Sequence, residues 1–363
     1  MLKNVKDAEK MDIIVWPSAC CADKKWLWTM HGKINALFKH NLENGEMELS
    51  LILKQEDFFK ESSMASVLVC DDKVYLIPRW GNHLHCINMN TREDDLIGIP
   101  NEIEFTNSMK FSSAFEYEKF IYCIPETYHY LLKLDPFDNT VKVLFDVNEI
   151  INKIGLERVN LGKAVLGSGG RVYSCILNTN LILCFDLKSL TYEVISIGER
   201  YNYDSIVVAD DILFVSSNEE SLIFVYDYKN RKIIETWNTP FDNFALSKLD
   251  GNGLLVDSII DGRAAVLKNN KTIIYDLGHR AYQGSYGYAY HHGIVCKSNN
   301  KQLYFNRHSY CVSEIDEEDN ILRDSKRLVG TVFVNLLDYE LEPLMIEKEL
   351  FDLKWMISKL TVL

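Results

Sequence analysis

Residues 71–93 read DDKVYLIPRWGNHLHCINMNTRE, and the order of pieces in this stretch decides the fold. A polar Asp-Asp turn leads into an apolar run that begins at Val74. A polar loop from Arg79 to Asn82 follows, then a second apolar run, and then Asn88 at the start of another polar turn. Val, Ile, Leu and Tyr in runs of about five, bounded by turn-forming residues, mark short antiparallel strands joined by hairpins. An Asn or Asp closing the second run can bond the backbone two residues on and so start the next turn.

The same order recurs on both sides of this stretch. The first run reappears in DKKWLWTMH, YEKFIYCIP, GGRVYSCIL, DDILFVSSN, GNGLLVDSI and NKQLYFNRH, with equivalent positions at Trp26, Val74, Phe120, Val172, Leu213, Leu254 and Leu303. Their spacings are 48, 46, 52, 41, 41 and 49 residues. The closing Asn or Asp recurs independently at Asn41, Asn88, Asp135, Asp186, Asp227 and Asp316, with Lys268 as a degenerate member. From first feature to second the offset stays at 15, 14, 15, 14, 14, 14 and 13 residues while the period itself varies. A constant offset inside a variable period means a rigid supersecondary unit joined by connections of different length. Each unit holds four strands, a to d: b carries the first run, c the second, and d follows the Asn or Asp turn. Strand a starts near Ser18, Ser66, Ser112, Ala164, Ser205, Leu246 and Val295.

A four-stranded sheet cannot bury both faces alone, so such units stack radially. Over residues 18–325 the blade pattern resembles the β-propeller superfamily. The resemblance implies an all-β, seven-bladed propeller of four-stranded antiparallel blades, assigned to residues 18–337. The Gly-His and Trp-Asp signatures of WD repeats are absent, and only Gly169-Gly170 shows the double glycine of kelch repeats. Residues 1–17 contain DIIVWP, a candidate ring-closing strand, with VFVNL near Val332–Leu336 as its candidate neighbour. In residues 338–363, Pro343 stands at a helix start, and Leu344, Ile346, Leu350, Phe351, Leu353, Trp355, Met356 and Leu360 recur at mostly helical spacing, which predicts an amphipathic C-terminal helix.

Composition narrows the function classes. With 363 residues, 47% hydrophobic and 25% charged, the chain can bury a large core without disulfides or metals. A net charge of −13 repels phosphate backbones and anionic membrane surfaces, so neither nucleic acid nor a membrane is an expected partner. Nine cysteines, an odd number with no CxxC pair, read as small hydrophobes in a reducing compartment, which predicts a cytoplasmic protein. No Walker, GxSxG or dinucleotide fingerprint occurs, and no cofactor is expected.

In a propeller the b–c loops share one face with the mouth of the central channel, where side chains distant in sequence converge. Candidate ligand-binding residues on these loops are His31, Arg79, Trp80, Glu126, Tyr128, Asn178, Asn218, Arg307 and His308. Several directional polar groups on one concave surface suit a polar ligand. The leading expectation is a non-catalytic binding or scaffold module for a protein, peptide or glycan. The alternative is a hydrolase or lyase acting on a polar polymer or peptide at the same mouth, with His31, Arg79, Glu126 or His308 as acid–base groups. His83 and His85 lie on one side of a strand, as a metal pair requires, but the sequence names no third ligand, so no metal is expected. Gly278–Gly293 is the most aromatic connection, a candidate stacking surface. The a–b and c–d turns, with Asp71-Asp72 and Asp210-Asp211, form an acidic rim on the opposite face.

Overall fold

The computed structural model describes residues 9–14, 17–23, 26–31, 35–42, 47–56, 64–99, 109–198, 202–217, 220–249, 253–258, 263–268, 271–276, 294–298, 301–306, 311–315, 322–327 and 329–334. Strand β1 (Glu9–Ile14) precedes the first four-stranded sheet, β2 (Pro17–Asp23), β3 (Trp26–His31), β4 (Ala36–Asn41) and β5 (Met47–Ile52). The second is β6 (Met64–Cys70), β7 (Lys73–Pro78), β8 (Leu84–Asn88) and β9 (Asp94–Ile97). The third is β10 (Phe111–Tyr117), β11 (Phe120–Pro125), β12 (Tyr130–Leu134) and β13 (Val141–Asp146), followed by helix α1 (Val147–Lys153). The fourth is β14 (Val165–Leu166), β15 (Arg171–Ile176), β16 (Leu181–Asp186) and β17 (Thr191–Ser196). The fifth is β18 (Ser205–Ala209), β19 (Ile212–Ser217), β20 (Leu222–Asp227) and β21 (Lys232–Asn238). The sixth is β22 (Phe244–Lys248), β23 (Leu254–Ser258), β24 (Arg263–Lys268) and β25 (Lys271–Asp276). One further sheet follows, β26 (Ile294–Ser298), β27 (Lys301–Asn306), β28 (Cys311–Ile315) and β29 (Leu322–Arg327), and then β30 (Val329–Val334).

Every four-stranded sheet is an antiparallel meander of consecutive strands, and the first strands of successive sheets lie side by side. β2 touches β6, β6 touches β10, β14 touches β18, β18 touches β22, β22 touches β26, and β26 returns to β2. This is a β-propeller, and each four-stranded sheet is a blade. The seven anchors Trp26, Val74, Phe120, Val172, Leu213, Leu254 and Leu303 all fall on the second strand of their sheets.

Burial follows distance from the axis. β3, β7, β11 and β15 share one pattern, a half-buried first residue and then five buried ones, because a b strand has a neighbouring blade on both faces. The outermost β21 is exposed at six of its seven positions. Consequently the core is divided into layers between blades. Trp28, Met30 and Leu37 pack on Met64, Val74 and Leu76. Tyr75 and Ile77 meet Ile121 and Cys123. Tyr122 and Leu131 meet Val172 and Phe185. Cys175 and Cys184 meet Ile206 and Val215.

Serine hydroxyls fasten the inner strands to one another. Ser66 accepts the Ala114 amide at 2.8 Å, Ser113 accepts Ala164 at 3.0 Å and Ser205 accepts Leu246 at 3.0 Å. A small hydroxyl there satisfies an amide that the neighbouring strand cannot reach. The inner serines of the sequence therefore act partly as inter-blade struts. β10 carries a bulge between Phe111 and Ser113, and the strut in the third blade is Ser113 rather than Ser112 because Phe120 is the first residue of β11 whereas Val74 is the second of β7, which shifts the register by one. The same bulge occurs between Pro17 and Ala19 and between Met64 and Ser66.

Turn chemistry matches the sequence reading. The side chain of Asn88 accepts the amides of Asn90 and Thr91 at 2.8 and 3.0 Å, Asp135 that of Phe137 at 2.9 Å, and Asp186 those of Lys188 and Ser189 at 2.9 Å.

Two expectations need correction or limitation. The N-terminal strand β1 does lie beside the segment expected as its neighbour, pairing with β30 from Glu9 with Val334 to Ile14 with Val329, but as a separate two-stranded sheet beside β5. It completes no blade, since the first blade is built from four consecutive strands. Residues 338–363, with the expected helix, lie outside the described residues, as does the aromatic connection 278–293. The α-helix found among the described residues is α1, on the link between the third and fourth blades. Asp146 caps it by accepting the Glu149 amide at 3.1 Å, and Val147, Ile150 and Ile151 are buried.

Candidate functional site

Pro78 and Pro125 end the b strands of adjacent blades in equivalent register, opposite Met64 and Phe111. The next residues, Arg79 and Glu126, therefore occupy the same place in neighbouring blades and point at one another across the mouth face. Nε of Arg79 lies 2.7 Å from one Glu126 oxygen and Nη2 2.6 Å from the other, a bidentate pair whose carboxylate is almost fully buried. A backbone chain runs beside it. Lys110 N–H donates to Arg79 O at 2.8 Å, Glu126 N–H to Lys110 O at 2.7 Å and Leu161 N–H to Glu126 O at 2.9 Å. The loops of the second, third and fourth blades are thereby joined into one surface. Lys110 itself is buried at 1% exposure.

A second group stands on the same face. Glu56 follows β5 on the connection to the second blade, in a turn where its amide donates to Leu53 O at 3.3 Å. Its carboxylate accepts the Asn82 amide at 2.7 and 2.8 Å and the His83 amide at 2.8 Å. The same Oε1 lies 3.2 Å from His83 Nδ1 and 3.4 Å from His85 Nε2. On its other side, His85 Nδ1 is 2.9 and 3.0 Å from the two oxygens of Asp94. Burial alone would push Glu56 upward, but the His85 contact and the Asn82 and His83 amides hold its carboxyl below the usual range. Burial works against a charge on His85, yet the Asp94 and Glu56 carboxylates raise its pKa. One ligand atom from each of Glu56, His83 and His85 lies within 4.8 Å of the other two, which makes this trio able to hold a metal ion.

The remaining candidates separate by exposure. His31 is buried and tilts against Phe38, ring centroids 6.0 Å apart. Tyr128 is buried between Phe111 and Tyr130 in edge-to-face contacts at 5.4 and 5.6 Å, and burial pushes its phenol up to about 12. Trp80 is half-buried and Asn178 is exposed, with φ 62° in its turn; His129, next to Tyr128 and not among the expected residues, is exposed on the same loop. Asn218, Arg307 and His308 lie outside the described residues. Of the acid–base groups named for an enzyme, His31 is shut in the core and Arg79 and Glu126 engage each other. Thiol chemistry is also disfavoured at Cys21 and Cys70. Burial pushes Cys21 up to about 11 and, with the Glu116 charge, Cys70 up to about 12, so both stay protonated near neutrality.

Glu56, Lys110 and Asp94 are the site residues that the sequence reading missed. Glu56 and Lys110 stand on connections without periodic pattern. Asp94 follows a c–d turn in which acidic residues are common.

No family model and no curated protein matches the chain by sequence. Its fold is similar to virginiamycin B lyase from Staphylococcus aureus, with TM-score 0.60 and 13% identity over 83% of this chain and 97% of that one. It is equally similar to the WD40 propeller domain of Doa1, with TM-score 0.60 and 9% identity over 86% of this chain and 96% of that one. The extracellular domain of a two-component system from B. thetaiotaomicron matches at TM-score 0.56 and 12% identity, over 84% of this chain and 40% of that one. A lyase and a WD40 domain at the same similarity establish the propeller fold and leave function to the site. No helix among the described residues is long and apolar enough to cross a membrane.

Proposed function

We propose that this chain is a non-catalytic binding module that offers the b–c loop face of the propeller to a protein partner, with Trp80, His129 and Asn178 as its outward contacts. The supporting observation is the Arg79–Glu126 pair. It fixes two adjacent loops in one arrangement and leaves neither charge poised for acid–base work on a substrate. A surface set before the partner arrives binds with less ordering cost. Half-buried Trp is also the residue type that most often anchors an interface. The seven cysteines among the described residues for which pairing is resolved are all free, which supports a reducing compartment such as the cytoplasm.

The test is affinity capture with the full chain, comparing it with a Trp80→Ala, His129→Ala, Asn178→Ala variant of unchanged unfolding midpoint. A second variant, Asp71→Asn with Asp72→Asn on the opposite rim, serves as control. The expected result is at least tenfold weaker capture by the loop variant and unchanged capture by the rim variant. Equal capture by the loop variant and the native chain would contradict the reading.

A further inference from the structure

We infer that Glu56, His83 and His85 form a binding site for a single divalent cation of the zinc class, open on the side of His83. Oε1 of Glu56 faces the Asn82 amide, the His83 amide, His83 Nδ1 and His85 Nε2 at once. A carboxylate oxygen has two lone pairs, so four donors oversubscribe it. If the two imidazole nitrogens are instead lone-pair donors, they and the Glu56 carboxylate, whose other oxygen shares the Asn82 amide, converge on one point suited to a cation.

The distances agree with that point. Zinc bonds to nitrogen and oxygen of about 2.0–2.2 Å in a tetrahedron place neighbouring ligand atoms about 3.4 Å apart. The observed Glu56–His83 and Glu56–His85 separations are 3.2 and 3.4 Å, and the third edge lies within 4.8 Å. The rings of His83 and His85 approach edge to face, 6.1 Å between centroids at 79°, as two ligands on different edges of a polyhedron do.

The surroundings are those of an oriented site. Asp94 holds His85 Nδ1, so Nδ1 carries the proton and Nε2 is left as the ligand atom. A carboxylate behind a ligating histidine is the usual way its tautomer and angle are fixed. The Asn82 and His83 amides do the same for the Glu56 carboxylate. Glu56 and His85 side chains are fully buried, whereas that of His83 is 39% exposed, which leaves both a route in and a fourth position. Two imidazoles and one carboxylate suit late first-row divalent ions and disfavour calcium and magnesium, which take oxygen ligands. The fourth position would accept water or one oxygen donor, such as a carboxylate of a bound molecule. The site stands whether or not the loop face binds a protein.

The experiment is calorimetric titration of chelator-treated full chain with Zn²⁺ alone, together with the visible absorption of the Co²⁺-loaded chain. One equivalent should bind, with a four- or five-coordinate cobalt spectrum. His83→Ala, a half-exposed change that the fold tolerates, should weaken zinc binding by about 100-fold or more, and Asp94→Asn by roughly 10- to 100-fold with the stoichiometry kept. Absence of stoichiometric zinc binding would overturn the proposal. So would affinity undiminished in His83→Ala, or a cobalt spectrum of the hydrated ion. Each of these would leave the cluster as an ion-pair network around His85. Loss of partner capture in the loop variant would bear on the binding reading alone.

Discussion

At the scale of single residues, burial without a partner has consequences that pH can expose. His40 lies on β4 between Leu27 and Met47 of the flanking strands, and its Nδ1 is shut from solvent with no hydrogen-bond partner. Burial therefore holds its pKa below the ordinary 6.5. Above that value the ring is neutral in both folded and unfolded chains and contributes no pH dependence. As pH falls below 6.5 the unfolded chain takes up a proton that the folded chain refuses, so stability declines, by at most about 1.4 kcal/mol per pH unit. Urea unfolding at pH 7.5 and 5.5 should show a smaller acid loss in His40→Gln than in the native chain. Equal losses would show that His40 is not the group responsible. The sequence placed His40 on a strand that closes at Asn41, yet gave no means of telling a solvated ring from an enclosed one, because that depends on the neighbouring blade.

At the scale of elements, the hairpins were legible and the connections were not. The Asn or Asp turns at Asn88, Asp135 and Asp186 form as expected because their chemistry is local: a side-chain oxygen reaches amides two and three residues ahead. The sequence did not show that Val74 is the second residue of its b strand and Phe120 the first, and so the inter-blade strut fell on Ser113 instead of Ser112. Helix α1 carried a readable signal, Asp146 three residues before Glu149, but its seven residues are too few for hydrophobic periodicity to stand out. Glu56 had no local signal, since only the fold of the connection carries it to His83 and His85. Arg79 and Glu126 were legible as candidates because both stand on b–c loops that follow equivalent apolar runs. That they engage each other could be seen only with the blades side by side.

This pair makes a measurable link between elements 47 residues apart in sequence. Arg79→Met alone leaves the buried Glu126 carboxylate uncompensated and is expected to cost about 3–5 kcal/mol. Arg79→Met with Glu126→Met removes both charges and should recover most of that loss. A double-mutant cycle by urea unfolding should then give a coupling above about 1.5 kcal/mol. Additive single effects would mean that the two loops are not joined through these side chains.

At the scale of the whole molecule, the constant offset near 14 residues specified the four-stranded unit, and stacking of such units around an axis followed from the need to bury both faces of each sheet. The variable period of 41 to 52 residues was accommodated in the connections. It is there that the structure adds α1, Glu56 and Lys110. A rigid ring with variable connections concentrates its chemistry on the faces where loops meet, and the charged pair and the histidine–glutamate group both lie on the b–c side. The opposite side carries tight, locally satisfied acidic turns.

Amide hydrogen exchange of the full chain, alone and with its captured partner, tests that division most directly. Partner-dependent protection is expected at 79–83, 126–129 and 177–180, with no change at 71–72, 186–189 or 210–211. Protection confined to those acidic turns, with the three loop segments exchanging as before, would contradict the assignment of the b–c face as the binding surface.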